Sequence, residues 1–256
     1  MPHIRLASGK TLWAHKHDRN VSSSGPDIPM LFVHGMFLSA RFWEPVLPAF
    51  AEHTRIVYDV EPFGETRPSG ASLDAPSQAR DMRDLLTHFE YSTAVVVAHS
   101  AGGSIARQFA HDYPHMVHKL VLLGPLFLPF PPEFPLDWIV VPTEELVRGW
   151  QSMASKRGQE DPALMKFVRD EVERNADRKE DAFRYFEGIR SCRATDVGGV
   201  ETWVLMGTEE QTPGVDCQGA AEALNARLVK VEGAGHHLVI ENTSGTVGAL
   251  RAALVG

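Results

Sequence analysis

A chain of 256 residues with 43% hydrophobic and 23% charged content has the make-up of a folded globular protein with one full core, which argues against disordered and fibrous classes. Its 25 Lys and Arg against 33 Asp and Glu leave a net charge of −8 and no dense basic cluster, which argues against a nucleic-acid partner. No apolar run approaches the roughly 20 residues that cross a bilayer, and "MPHIRLASGKTLWAH" lacks the charged-then-apolar order of a secretory signal, so a cytoplasmic location is expected.

Residues 3–7 and 11–17 flank Ser8-Gly9-Lys10 and read as a hairpin, followed by the polar stretch "DRNVSSSGPDIP". Residues 30–33 form a short buried strand ending at His34-Gly35. A helix is expected over 41–52, with Pro45 and Pro48 disturbing its regularity. Residues 55–60 make the next strand, which runs into the turn-rich "DVEPFGETRPSG". Over 73–90, Ala79, Met82, Leu85, Leu86 and Phe89 fall on one helical face.

The stretch "TAVVVAHSAGGSIARQFAHDY" then passes from a β-branched run to a helix marked by Ile105, Phe109 and Tyr113. "HKLVLLGPL" is a further strand. From 127 to about 199 the alternation stops: a proline-rich opening, "PFPPEFPLDW", precedes three amphipathic helices near 143–155, 162–175 and 179–191. Alternation resumes with "ETWVLMG", a helix near 216–226, "ARLVKVEG" and a C-terminal helix from about 243. Strands alternating with helices predict an α/β fold with a mainly parallel sheet. The expected organisation is a core of 1–126 and 200–256 with a helical lid, 127–199, over the carboxyl edge of the strands, where such folds bind ligands.

Cys192 and Cys217 have neither disulfide-framework nor metal-pair spacing and read as free thiols. His15 and His17 share a strand face, but no third ligand of suitable spacing stands nearby.

The residue that calls for a chemical account is Ser100. A small residue two before it, Ala98, and a glycine two after it, Gly102, allow the chain to reverse sharply and leave the serine at the tip, the arrangement of a nucleophile elbow. The plainer alternative is a serine that starts the helix as its N-cap.

With three further signals in place, the chain resembles the α/β-hydrolase superfamily across its sheet-forming sequence. "FVHGMFLSARFW" looks like the family's oxyanion loop, with the backbone N–H of Met36 as one donor and that of Ala101 as the other. "DVEPFGETRPS" resembles the family's Asp-turn, with Pro62 where the first glycine is usual; it is read as structural support, with Glu65 and Arg67 as candidates at the site entrance. "GAGHHLVIENT" matches a G-H-x-x-x-x-E pattern ending at Glu241, which marks His236 as the base, His237 being the competitor expected to face away. The acid implied is Glu210, three residues beyond Gly207, with Glu209 as its rival. The order Ser100, Glu210, His236 is that of the family.

The resemblance implies a serine hydrolase that needs no cofactor or metal and cleaves a small to medium hydrophobic ester or lactone through an acyl-enzyme. Carbon-carbon bond hydrolases, perhydrolases and hydroxynitrile lyases share these residues, and a non-turnover receptor of the same fold is the alternative from another class. A serine here argues against dehalogenases and epoxide hydrolases, which use aspartate. His34, Met36, Phe37, Phe127, Phe130, Phe134, Trp138 and Ile139 gather near the oxyanion loop and lid in sequence and are expected to line a pocket for a hydrophobic small molecule.

Overall fold

In the computed structural model, which describes residues 2–20, 26–126, 136–192 and 196–255, the apolar runs become eight strands. They are β1 (His3–Arg5), β2 (Thr11–His17), β3 (Met30–Val33), β4 (Arg55–Tyr58), β5 (Ala94–His99), β6 (Val117–Leu123), β7 (Thr202–Gly207) and β8 (Arg227–Val231). Their order across one sheet is β1-β2-β4-β3-β5-β6-β7-β8. Only β2 runs against its neighbours; β3 to β8 pair in parallel.

Parallel strands covered on both faces need apolar residues at successive positions, and β3, β4 and β5 are buried throughout. Alternate side chains feed opposite cores: Val96 and Ala98 of β5 pack on one side, Val95 and Val97 on the other. The registers Val33↔Ala98, His99↔Leu123 and Leu123↔Leu205 bring the carboxyl ends of β3, β5, β6 and β7 to one edge, so their following loops emerge together.

One face is covered by α1 (Ala75–His88) and α2 (Gly102–Asp112), the former capped by Asp74, which accepts from Ser77 N at 2.7 Å. The expected helix over 41–52 is instead two 3₁₀ turns, Ala40–Trp43 and Leu47–Phe50. Pro45 and Pro48 each remove an amide donor, and the chain settles into short tight turns that still bury Phe42, Trp43 and Phe50 against the other face.

Between β6 and β7 lie α3 (Thr143–Ser152), α4 (Lys156–Gln159), α5 (Pro162–Arg174) and α6 (Lys179–Ile189). The single turn α4, unforeseen from the sequence, is capped by Ser155, which accepts from Gly158 N at 3.0 Å. Val147, Val168 and Tyr185 of this insertion are fully buried and join the core shared with β3 and β5. Gly188 of α6 lies against the segment before α1: a Cβ there would stand 2.5 Å from Leu73 O.

The chain closes with α7 (Cys217–Ala223), α8 (Leu238–Glu241) and α9 (Thr243–Val255). Cys192 and Cys217 are buried free thiols. The His15 and His17 rings meet edge-on at 4.3 Å. Among the described residues no cluster of three or more metal-ligating side chains occurs, and no helix is long and apolar enough to cross a membrane.

Candidate active site

The chain leaves β5 and enters α2 through Ser100, whose φ of 53° lies in the left-handed region. That turn works only if its neighbours are small. A Cβ on Gly102 would stand 2.5 Å from His34 O, and one on Gly35 would stand 2.9 Å from Ser100 Cβ. The N-cap position of α2 belongs to Ala101. The Ser100 hydroxyl turns the other way and donates to His236 Nε2 across 2.9 Å.

His236 comes from the loop after β8 and Glu210 from the loop after β7. His236 Nδ1 donates to Glu210 Oε2 at 2.7 Å, with both side chains 5% exposed. Burial pushes the Glu210 carboxyl up, but the His236 ring and the hydrogen bond from Thr212 outweigh it and hold the group down at about 2. Gly124, with φ of 50° just after β6, lies beneath this bond. A Cβ there would be 3.2 Å from both Glu210 Oε2 and His236 Nδ1.

The rival side chains point elsewhere. Glu209 accepts from Lys156 N at 3.0 Å. His237 is buried and donates through Nε2 to Trp150 O at 2.9 Å.

Two further residues hold His236 in place, and sequence reasoning assigned neither that task. His99 donates from Nε2 to His236 O at 2.9 Å and keeps its ring 4.7 Å from the His236 ring. Burial, then the neighbouring His236, push His99 well below the usual histidine range, so it stays neutral. Glu241 accepts from Gly235 N and His237 N at 2.9 Å each, and from Ser155 N at 2.7 Å. Its place at the end of the G-H-x-x-x-x-E stretch was the available signal.

Ser100 and His236 open onto a cavity of about 550 Å³. Met36 and Ala101 line it, and neither backbone N–H donates to another described residue. Trp138 lines it too, joined by Leu146, Trp150, Met153 and Phe186 from the insertion. The apolar face of α3 was the sequence signal for Leu146 and Trp150, and that of α6 for Phe186.

Three expected pocket residues, Phe37, His34 and Ile139, are placed elsewhere. Phe37, at φ of 55°, turns into the core and packs on Phe63 at 5.6 Å and Trp150 at 5.2 Å. His34 is wholly buried, accepting from Val60 N at 2.9 Å through Nε2 and donating from Nδ1 to Gly35 O at 2.8 Å. Ile139 is buried outside the cavity wall, and Phe127, Phe130 and Phe134 lie outside the described residues. Asp59 ties the loop after β3 to the turn after β4 by accepting from Ala40 N at 2.7 Å and Glu65 N at 2.6 Å. Glu65 and Arg67 pair with Arg174 and Asp177 and do not line the cavity.

Comparison with known proteins agrees with this architecture. The profile of the Alpha/beta hydrolase family matches residues 30–249. The soluble epoxide hydrolase of Corynebacterium sp. (strain C12) is 33% identical over 102 residues, 40% of this chain and 36% of that protein. The 2-hydroxy-6-oxo-2,4-heptadienoate hydrolase of Pseudomonas putida is 28% identical over 135 residues, 51% of this chain and 49% of that protein. These matches span less than half the length of either relative. The enol-lactonase from Burkholderia xenovorans LB400 shares the fold, with a TM-score of 0.86 at 17% identity over 100% of both chains. The chain belongs to the alpha/beta hydrolase family.

Proposed function

We propose that the protein is a serine hydrolase that cleaves a small to medium hydrophobic carboxylic ester or lactone through an acyl-enzyme. One observation carries this reading: Ser100 Oγ, His236 and Glu210 form a continuous hydrogen-bonded row, 2.9 and 2.7 Å, at the wall of a largely apolar cavity.

In this reading His236 Nε2 takes the Ser100 proton as the oxygen attacks the substrate carbonyl, and Glu210 holds the ring and balances its positive charge. The Met36 and Ala101 amides receive the developing oxyanion; one such donor is worth about 3 kcal/mol in the transition state. The imidazolium gives its proton to the leaving alcohol, and water activated by the same ring then releases the acid. For a lactone the alcohol stays tethered to the acyl group. In this reading the insertion, 127–199, is the lid, and its described residues supply much of the apolar wall.

The relatives include an epoxide hydrolase and a hydrolase of a 2-hydroxy-6-oxo acid. Ser100 stands where the resemblance places aspartate for epoxide opening, and the cavity wall described below suits a neutral substrate better than an acid. The test is intact-mass analysis after exposure to a fluorophosphonate, with Ser100→Ala as control. A single adduct absent from the variant is expected; no adduct on folded protein would overturn the reading. Aryl esters, lactones and vinylogous diketones then sort the substrate class.

A further inference from the structure

The proposed chemistry leaves one charged group of the cavity unused. Glu145, an exposed residue in the first turn of α3, is among the residues that line the same cavity as Ser100. The adjacent Glu144 pairs with Arg169 at 2.7 Å, whereas the Glu145 side chain has no ion pair or hydrogen bond to another described residue. The first turn of a helix suits an anion.

No Lys or Arg stands among the described residues of the cavity wall. Beyond the histidines, Glu145 is thus the one formal charge that the described wall presents to a ligand. The rest is largely apolar, with Met36, Leu146, Trp150 and Phe186 prominent.

A substrate carboxylate entering here gives up hydration, meets no compensating cation and faces a like charge that solvent screens only in part, since Glu145 is exposed on its outer side while the rest of the wall is apolar. An ammonium group loses hydration too, but Glu145 offsets part of that loss. A neutral chain pays neither cost. The wall also carries the hydroxyl of Thr212, a residue 8% exposed whose side chain borders Glu210. A hydroxyl serves neutral donors and acceptors but does not neutralise an anion.

We propose that Glu145 determines specificity by charge, making the cavity select neutral and ammonium-bearing acyl chains over carboxylate-bearing ones. The kinetic form of this inference rests on the hydrolase reading; its binding form rests on the cavity alone.

The experiment uses three p-nitrophenyl esters of equal acyl length: the hexanoate, the 6-aminohexanoate and the adipate monoester. Wild-type kcat/KM on the adipate monoester is expected to fall about tenfold or more below that on the 6-aminohexanoate. Glu145→Gln narrows that ratio at least about threefold and Glu145→Lys reverses its sense. A ratio that neither substitution moves overturns the proposal.

In parallel, Ser100→Ala removes the reaction and keeps the cavity. Displacement of Nile red from it by methyl 6-aminohexanoate and by monomethyl adipate reads the same charge order without turnover. Absent hydrolysis with this order intact removes the hydrolase reading and keeps the charge filter. Hydrolysis with charge-blind binding and charge-blind kcat/KM keeps the hydrolase reading and removes the filter.

Discussion

His237 donates from Nε2 to the carbonyl oxygen of Trp150 across 2.9 Å, tying the residue beside His236 to helix α3 of the insertion. The same seam holds His236 N to Met153 O at 2.9 Å and Ser155 N to Glu241 Oε2 at 2.7 Å. The C-terminal end of α3 and the histidine loop are therefore one hydrogen-bonded unit, so displacing that end of the helix displaces the backbone of His236. His237→Leu keeps the volume and removes the donor, leaving the Trp150 carbonyl only its longer bond from Met153 N at 3.3 Å. The expected cost is about 1–3 kcal/mol, a fall in Tm of several degrees, with slower fluorophosphonate labelling. His237→Gln restores a donor and should recover part of both. Unchanged labelling in His237→Leu would separate the seam from the chemistry.

Glu241 collects three backbone amides, two from the histidine loop and one from the chain after α3. Glu241→Ala leaves all three without their acceptor in a partly buried place, an expected loss of about 2–4 kcal/mol. Because those amides set where His236 stands, labelling of Ser100 should slow more than cavity binding weakens. Glu241→Gln retains one carbonyl oxygen for at most part of the set and should fall between. The checks are urea unfolding, the labelling rate and Nile red affinity measured together; equal losses in the last two would show a general loosening instead of a positioning role.

Gly124→Ala tests the Glu210–His236 bond without touching either partner. The new methyl would stand 3.2 Å from Glu210 Oε2 and His236 Nδ1, on a residue whose φ is 50°. Backbone strain costs about 1 kcal/mol. Crowding must also push the carboxylate and the ring apart, so kcat is expected to fall about tenfold or more with KM little altered, since the methyl lies behind the reacting atoms. A normal kcat would mean that the bond accommodates the methyl.

Much of this arrangement was legible because local chemistry dictates it. The run around Val95 to Val97 could only be a buried strand, and the spacing of Ala98, Ser100 and Gly102 follows from the close approach of that turn to His34 O and Val33 O. What stayed hidden depends on where a side chain turns after the fold has formed. His34 and Phe37 stand on either side of Gly35-Met36, yet the ring of one is captured by Val60 N and the left-handed backbone of the other aims it at Phe63. The task of Glu241 was invisible because one of its donors, Ser155 N, is 86 residues away. Glu145 carried no motif at all; only the folded placement of α3 along the cavity that Ser100 opens onto brings its charge there.

The pair His34 and Asp59 yields a prediction about acid stability whose sign is unusual. Burial pushes the His34 imidazole down to about 4 from 6.5, so between these values an unfolded chain takes up a proton that the folded chain refuses. Stability therefore falls as pH drops through that window. Burial pushes the Asp59 carboxyl up to about 6 from 3.8, outweighing the hydrogen bonds from Glu65 and Ala40. Between 6 and 3.8 the folded chain takes up the extra proton, and stability rises as pH drops. The two contributions oppose each other over nearly the same range. Asp59→Asn removes the second and leaves the first, so its stability relative to wild type should worsen by about 2 kcal/mol from pH 6.5 to 4. Glu210, held at about 2, loses its contribution only below its ordinary range near 4.5, and it does so equally in both chains, so it drops out of the difference. Urea midpoints at half-unit steps of pH give the comparison. Parallel curves for the two proteins would mean that Asp59 titrates alike in the folded and unfolded chains, and that burial beside the loop after β3 does not hold its proton.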